Sequence, residues 1–285
     1  MDRSGTQLIQ SPLHKAERLR ALHKRGDPLV FVNVWDAVSA RIVEDLGFPA
    51  IATTSAGIAW AQGFADGECI SRTGMLAGVA SIARAVNVPV TADLERGYGA
   101  SVDDAVATAR GAIEAGAVGM NFEDWDGAHR KLFDVLPQGE RIAAIRNAGA
   151  DAGVPLVVNA RTDVFLETVG ESDAWRLDEA VRRGNEYLAA GADCVFVPGV
   201  SDEHTIASLA EQIRGPINIL ANASSPSVAR MAELGVARIS VGSAGASYAL
   251  AYFRRFARGV KDHGSFNPIG ERIPHAEVNA LFRVT

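Results

Sequence analysis

The chain has 285 residues, 48% of them hydrophobic, and a formal net charge of -6. Length and apolar content suit one large α/β domain or two smaller ones, and the acidic balance argues against non-specific nucleic-acid binding, which needs a basic footprint. No apolar run approaches the roughly 20 residues that span a bilayer, the N-terminus holds no apolar signal core, and the two distant cysteines, Cys69 and Cys194, suggest no disulfide framework, so a cytoplasmic protein with neither membrane nor nucleic-acid partners is expected.

Residues 1–28 read as an N-terminal helical segment around PLHKAERLRALHKRG. Eight short apolar runs rich in β-branched residues follow, at 29–35, 50–55, 89–94, 118–124, 155–161, 194–199, 217–223 and 238–243. They are almost continuously hydrophobic, as parallel strands buried on both faces are. Before five of them stands a glycine (47, 116, 153, 191 and 235) that can end a helix in the left-handed conformation. Amphipathic stretches fill the gaps. In SVDDAVATARGAIEAG, Ser101 is a candidate N-cap, with Asp104 three residues on.

Eight such units predict an α/β fold of the (β/α)8 TIM-type barrel class over residues 29–261. A doubly wound open sheet is less favoured, because no GxGxxG follows the first strand and no composition break divides the chain. Residues 262–285 lie beyond the eighth unit, and Ile273, Val278, Leu281 and Phe282 there need a surface to cover, on the barrel or on a neighbouring subunit.

Barrels of this class place their chemistry at the C-terminal rim of the strands. The first strand offers Trp35 and Asp36 there, and the second Ser55, Ala56 and Gly57, whose N–H groups and hydroxyl suit an anionic oxygen. The third offers Asp93 and Glu95, the fourth Glu123 and Asp124, the fifth Arg161 and Asp163, and the seventh Asn222. Asp93, Glu95 and Glu123, on neighbouring strands, would repel one another without a cation between them. Their hard oxygens suggest Mg2+, with Mn2+ as the alternative. Gly97 and Gly99 would turn the backbone away from that ion. The Arg161 fork suits a carboxylate or phosphonate, the bland alternative being an ion pair with Asp163 or Glu123. Asp66, in the loop after the second strand, reads from sequence alone as a solvated turn residue. His129, Arg130 and Lys131 sit in a long loop after the fourth strand, read as a lid.

The stretches NVWDAVSA (33–40), TTSAG (53–57), TADLERGYG (91–99), NFED (121–124), NARTD (159–163) and LGVARISVGS (234–243) resemble the isocitrate lyase/phosphoenolpyruvate mutase superfamily, in order, over about residues 13–260. The resemblance implies a barrel that holds Mg2+ and an α-oxo acid or its enolate at the rim. It also implies C-terminal helices exchanged between subunits, in a homotetramer built as a dimer of dimers. By position, Asp93 looks like the direct Mg2+ ligand, and Glu95 and Glu123 like acids that hold the ion partly through water. Ser55, Ala56 and Gly57 resemble the segment that binds the oxo-acid carboxylate, with Trp35 beside it, and Arg161 the arginine on the anionic group. Asp66 matches a family aspartate, and Asn222 the asparagine of an NITEFG-like segment, although ASSPS follows it here.

Three departures restrict the reading. The lyases carry a K-[KR]-C-G-H loop after the fourth strand, and here the loop has no cysteine. They place a glutamate after the sixth-strand proline, where this chain has Gly199. The lysine and asparagine pair of the phosphonate enzymes finds no clear match. The resemblance therefore implies a Mg2+-dependent carbon–carbon lyase or decarboxylase acting on a small 2-oxo or 2-hydroxy dicarboxylate, oxaloacetate- or methylmalate-like, through a pyruvate enolate. The rivals are phosphonate chemistry (phosphonopyruvate hydrolysis or phosphonomutase) and a non-catalytic oxo-acid-binding barrel.

Overall fold

The computed structural model describes residues 11–282; the outer parts of the expected terminal segments, residues 1–10 and 283–285, lie outside the described residues. Helix α1 (Pro12–Ala21) begins where Ser11 accepts from the His14 N–H and proline takes the first helical position, which needs no N–H donor. The barrel strands are β1 (Leu29–Phe31), β2 (Ile51–Ala52), β3 (Val90–Asp93), β4 (Gly119–Glu123), β5 (Val157–Arg161), β6 (Cys194–Val197), β7 (Ile217–Leu220) and β8 (Arg238–Ser240). Each lies inside one of the eight apolar runs read from the sequence.

All strand pairs around the sheet are parallel, in the order β1-β8-β7-β6-β5-β4-β3-β2. The ring closes between β1 and β2. There the Val34 N–H donates to the Ala52 carbonyl at 2.9 Å, and the Thr54 N–H donates to the Val34 carbonyl at 3.0 Å. The expected TIM-type barrel is therefore present.

The helices follow from local signals. Those between the strands are α2 (Ala37–Asp45), α3 (Ser55–Ala61), α4 (Arg72–Ala85), α5 (Val102–Glu114), α6 (Val135–Asp151), α7 (Asp173–Ala189), α8 (Glu203–Gln212) and α9 (Val228–Glu233). On α5, Ser101 and Asp104 form the capping box, worth about 1 kcal/mol, and Ala105, Thr108, Ala109 and Ala112 make a buried stripe at helical spacing. The five glycines before strands all take φ between +68° and +106°, the region an L side chain resists. Asp36, read as a rim group, is instead the N-cap of α2, paired with Ser39 in a capping box.

Helix α10 (Ala244–His263) runs for 20 residues, and among them Ala246 is the buried one. Tyr248 is 78% and Phe253 65% exposed. The chain then turns back through a 3-10 turn and α11 (His275–Ala280). Tyr252 donates to Glu271 at 2.8 Å, and Arg41 of α2 donates to the Leu281 carbonyl. No helix among the described residues is long and apolar enough to cross a membrane.

Candidate active site at the barrel rim

Alternate residues on a strand share a face. Asp93 pairs in register with Asn121, Asn121 with Asn159, and Glu123 with Arg161, so rim side chains of β3, β4 and β5 stand side by side. Asp93 is the centre of this group. Its Oδ2 accepts from the Ser55 hydroxyl at 3.0 Å and the Ser55 N–H at 3.2 Å, and its Oδ1 from the Asn121 amide at 3.3 Å. The Ser55 hydroxyl also lies 3.3 Å from Asp66 Oδ1, which draws Asp66 into the site. Burial and then Asp93 push the Asp66 carboxyl above the usual range.

Glu95 follows in a tight turn. It takes φ +51° and Tyr98 φ +59°, while Gly97 and Gly99 leave no room for a side chain. A Cβ on Gly97 would meet Phe122 at 2.7 Å, and one on Gly99 would meet Asp104 at 2.2 Å. Non-glycine residues held this way cost about 1–3 kcal/mol each and cluster at functional sites. Glu95 Oε2 accepts from the Glu68 N–H at 2.6 Å. Burial pushes Glu95 up to about 8, with Asp93, Asp66 and Glu68 adding to the effect. Burial also raises Glu123 well above its ordinary value; Arg161 opposes this, and Asp163, Asp93 and Glu95 reinforce it.

Arg161 makes the ion pairs anticipated as its bland role, with both acids named for it. It grips Asp163 with Nε at 2.6 Å and Nη2 at 3.1 Å, and donates from Nη1 to Glu123 at 2.8 Å. A guanidinium carries five N–H donors, so one on Nη1 and one on Nη2 remain for an anion.

The small-residue segment is narrower than its sequence suggests. Thr54 caps α3, with its hydroxyl 3.5 Å from the Gly57 N–H, and the Ser55 N–H is taken by Asp93. Ala56, second in the helix, keeps its N–H outside the helical ladder. Gly57 is needed for packing, since a Cβ there would meet Trp35 at 2.7 Å. Trp35 thus flanks the segment as a wall. Asn222 is not brought into this group: its Oδ1 accepts from the Ser224 N–H at 2.8 Å, in a turn on the exposed surface after β7.

Sequence reasoning missed the groups that bind the rim loops together. Arg96 donates to Glu68 at 2.9 Å and to Asp126 at 2.6 Å, and Glu68 accepts from the Tyr98 N–H at 2.6 Å. The loop read as a lid forms a two-stranded antiparallel ribbon, Trp125–Asp126 with Lys131–Leu132. His129 there is 70% exposed and hydrogen-bonded to Asp126 at 2.6 Å. The only advance signal was charge, in the run Glu95-Arg96 and in GFADGE.

Among the described residues, no three His, Cys, Asp or Glu side chains converge closely enough to hold an ion entirely by themselves. The donor set nonetheless fits a hard divalent ion that keeps part of its water shell. Asp66, Asp93 and Glu95 are oxygen donors, with Asp93 raising the proton affinity of the other two, and the nearby Arg96 is spent on Glu68 and Asp126.

In the metal-free protein this cluster sets a pH dependence. Unfolded carboxyls ionise near 4–4.5, whereas the folded Glu95 holds its proton to about 8. Between those values the folded state binds more protons, so stability falls as pH rises. Scanning calorimetry with EDTA should show the melting temperature falling from pH 5 to 8.5, and Mg2+ should flatten the slope. A flat or rising metal-free profile would contradict the burial of Glu95.

Residues 19–261 match the family profile described as phosphoenolpyruvate phosphomutase. The uncharacterized protein Rv1998c of Mycobacterium tuberculosis is 33% identical over 91% of this chain and 93% of its own. The 2-methylisocitrate lyase of Bacillus subtilis is 28% identical over 73% of this chain and 66% of its own. A crystal structure of a phosphonomutase-like protein from Burkholderia cenocepacia J2315 is 41% identical, covers 88% of this chain and 99% of that one, and superposes with a TM-score of 0.82.

Proposed function

The chain belongs to the isocitrate lyase/phosphoenolpyruvate mutase superfamily of Mg2+-dependent carbon–carbon lyases and phosphonomutases, and from that membership we propose that it cleaves a carbon–carbon bond in a small 2-oxo or 2-hydroxy dicarboxylate. Oxaloacetate is the leading substrate. The observation that carries this reading is one rim holding an uncompensated set of oxygen donors beside an arginine with two unspent N–H groups.

Asp93 would hold Mg2+ directly, with Glu95 and Glu123 holding its waters. When bound, the ion supplies a Lewis acid for negative charge on substrate oxygens. Arg161 offers its remaining N–H donors to the substrate carboxylate, and the Ala56 N–H offers one more; Trp35 and Gly57 close the wall behind it. Loss of CO2 from oxaloacetate leaves the bonding pair on the three-carbon fragment as an enolate, so no cysteine base is needed to start it. Asp66, whose proton affinity burial raises, stands at the Ser55 hydroxyl and returns a proton to the enolate carbon, giving pyruvate.

Gly199 weighs against tricarboxylate lyase chemistry. It takes φ +89°, and a Cβ there would lie 2.7 Å from the Leu166 backbone nitrogen. The glutamate those lyases carry after the proline has no room. Oxaloacetate decarboxylases are among the relatives of this chain.

A coupled pyruvate-release screen over oxo- and hydroxy-dicarboxylates with Mg2+ tests the proposal. Oxaloacetate turnover above the metal-only rate is expected, and its absence across the set would overturn the reading. The likeness to a phosphonomutase-like structure favours a second reading, P–C chemistry. Loss of the phosphonopyruvate signal in phosphorus NMR would support it. Tight oxalate binding with no turnover of either class would leave a binding barrel.

Arg161→Lys keeps the charge but loses the fork. It should weaken oxalate binding by about 2 kcal/mol, or ~30-fold, and Mg2+ binding much less. Equal losses in calorimetry would make Arg161 structural.

We also propose a homotetramer in which the apolar face of α10 is covered by a second copy. Light scattering should give four times the 30.1 kDa chain mass, and Phe253→Glu should lower it. A monomeric wild type would refute this.

A further inference from the structure

We propose that Arg238 is a positioning residue for Asp93, acting through the Asn121 amide. The inference rests on the reading of Asp93 as a cation ligand. Arg238 opens β8 and is 1% exposed inside the barrel. Its contacts include the Phe31 ring at 4.6 Å, His23 Nε2 at 3.5 Å and Asn121 Oδ1 at 3.2 Å; none of these is a carboxylate, and its Nε has no hydrogen-bond partner among the described residues. Burial and the guanidinium itself push His23 down to about 4. The ring is therefore neutral at physiological pH. Its Nδ1, 2.9 Å from the Leu19 carbonyl, carries the hydrogen, which leaves Nε2 to accept from Arg238. Among the described residues no carboxylate hydrogen-bonds the guanidinium, and the acid that acts on it through space is Asp93 itself. A buried charge without an ion-pair partner is costly, so its placement calls for a reason beyond filling the barrel.

Asn121 supplies that reason. Its Oδ1 accepts from Arg238 and also from the Asn159 amide at 2.8 Å. Two donors on that side fix the orientation of the amide, because the flipped form would set its NH2 against both. The Asn121 NH2 must then face Asp93, where it donates to Oδ1 at 3.3 Å. With the Ser55 hydroxyl and N–H both on Oδ2, the carboxylate is held at both oxygens, and Oδ1 keeps a lone pair for a cation. Removing the partners behind a metal ligand typically costs 10–100-fold in affinity.

Simple electrostatics predicts the opposite sign. A positive charge beneath the site repels a cation, so its removal alone would tighten binding. Mn2+ affinity, read by electron paramagnetic resonance, separates the two. Arg238→Met and Asn121→Ala should each weaken Mn2+ about tenfold, the double variant should be no weaker than either single one, and Arg238→Lys should recover most of the loss. Unchanged or tighter binding in a folded Arg238→Met protein, or additive losses in the double variant, would overturn the proposal. If Arg238→Met does not fold, Asn121→Ala decides alone, and wild-type affinity there overturns it. Should wild type bind Mn2+ no better than Asp93→Ala, the cation site itself is wrong and the proposal falls with it.

Discussion

Asp93→Ala is expected to remove Mg2+ binding and turnover while leaving the metal-free barrel as stable as wild type, or more stable, at pH 8. The two effects have one cause. Asp93 contributes its charge to a crowded cluster, where it raises the proton affinity of Asp66, Glu95 and Glu123. Removing that charge lets Glu95 ionise more readily and relieves repulsion in the folded state. The groups left behind are the Ser55 hydroxyl and N–H and the Asn121 amide, and a water in the space of the lost carboxylate can accept from them. Turnover should fall by about 10²–10³-fold, the scale of losing one electrostatic stabiliser of a developing anion. Calorimetric titration with Mg2+ and a melt in EDTA are the two measurements. Destabilisation together with retained Mg2+ affinity would make Asp93 a structural acid. Conflict between stability and activity at one residue is what a functional position shows.

The barrel was legible because its signals are local. Apolar strand runs and left-handed glycines such as Gly116 and Gly235 depend on a few neighbouring residues, and each fell where the sequence placed it. That Asp93 and Glu123 end neighbouring strands followed from the order of the ring, although Glu123 turns to Arg161 and no three acids close on one point among the described residues. What escaped depends on contacts distant in sequence. Arg96 joins loops after β2, β3 and β4 through Glu68 and Asp126, residues 28 and 30 positions away, and nothing in the LERGY run announces those partners. Asp36 and Asp124 carried the same charge and strand-end position as Asp93 and Glu123. One is a helix cap and the other is buried structure, and only packing tells them apart. Asn222 was placed at the rim by strand count, but a local turn with Ser224 claims its side chain. Asp66, a turn residue by sequence, reaches the site because its loop folds over Ser55.

Asp124→Ala should have the contrary signature, a large loss of stability. Asp124 is 0% exposed. Its Oδ2 accepts from the Tyr187 hydroxyl at 2.7 Å and from Arg183 Nη1 at 3.1 Å, and its Oδ1 from the Asp163 N–H at 3.0 Å. Truncation strands a buried hydroxyl, a backbone N–H and part of a guanidinium. Breaking a buried pair from one side costs about 3–5 kcal/mol, which lowers the melting temperature by roughly 10 °C in a chain of this size. Arg183→Met in the same background should cost less than it does alone, because the stranded charge is then gone. The loss also reaches the chemistry. Asp124 fixes the Asp163 backbone, and Asp163 holds Arg161 in its fork at 2.6 Å. The variant should therefore bind oxalate more weakly while Mg2+ binding, proposed for the β3 side, is spared. A melt within about 0.5 kcal/mol of wild type, the size of an ordinary surface change, would show that the knot behind the rim carries little of the fold. Oxalate affinity would then have to come from Arg161 unsupported.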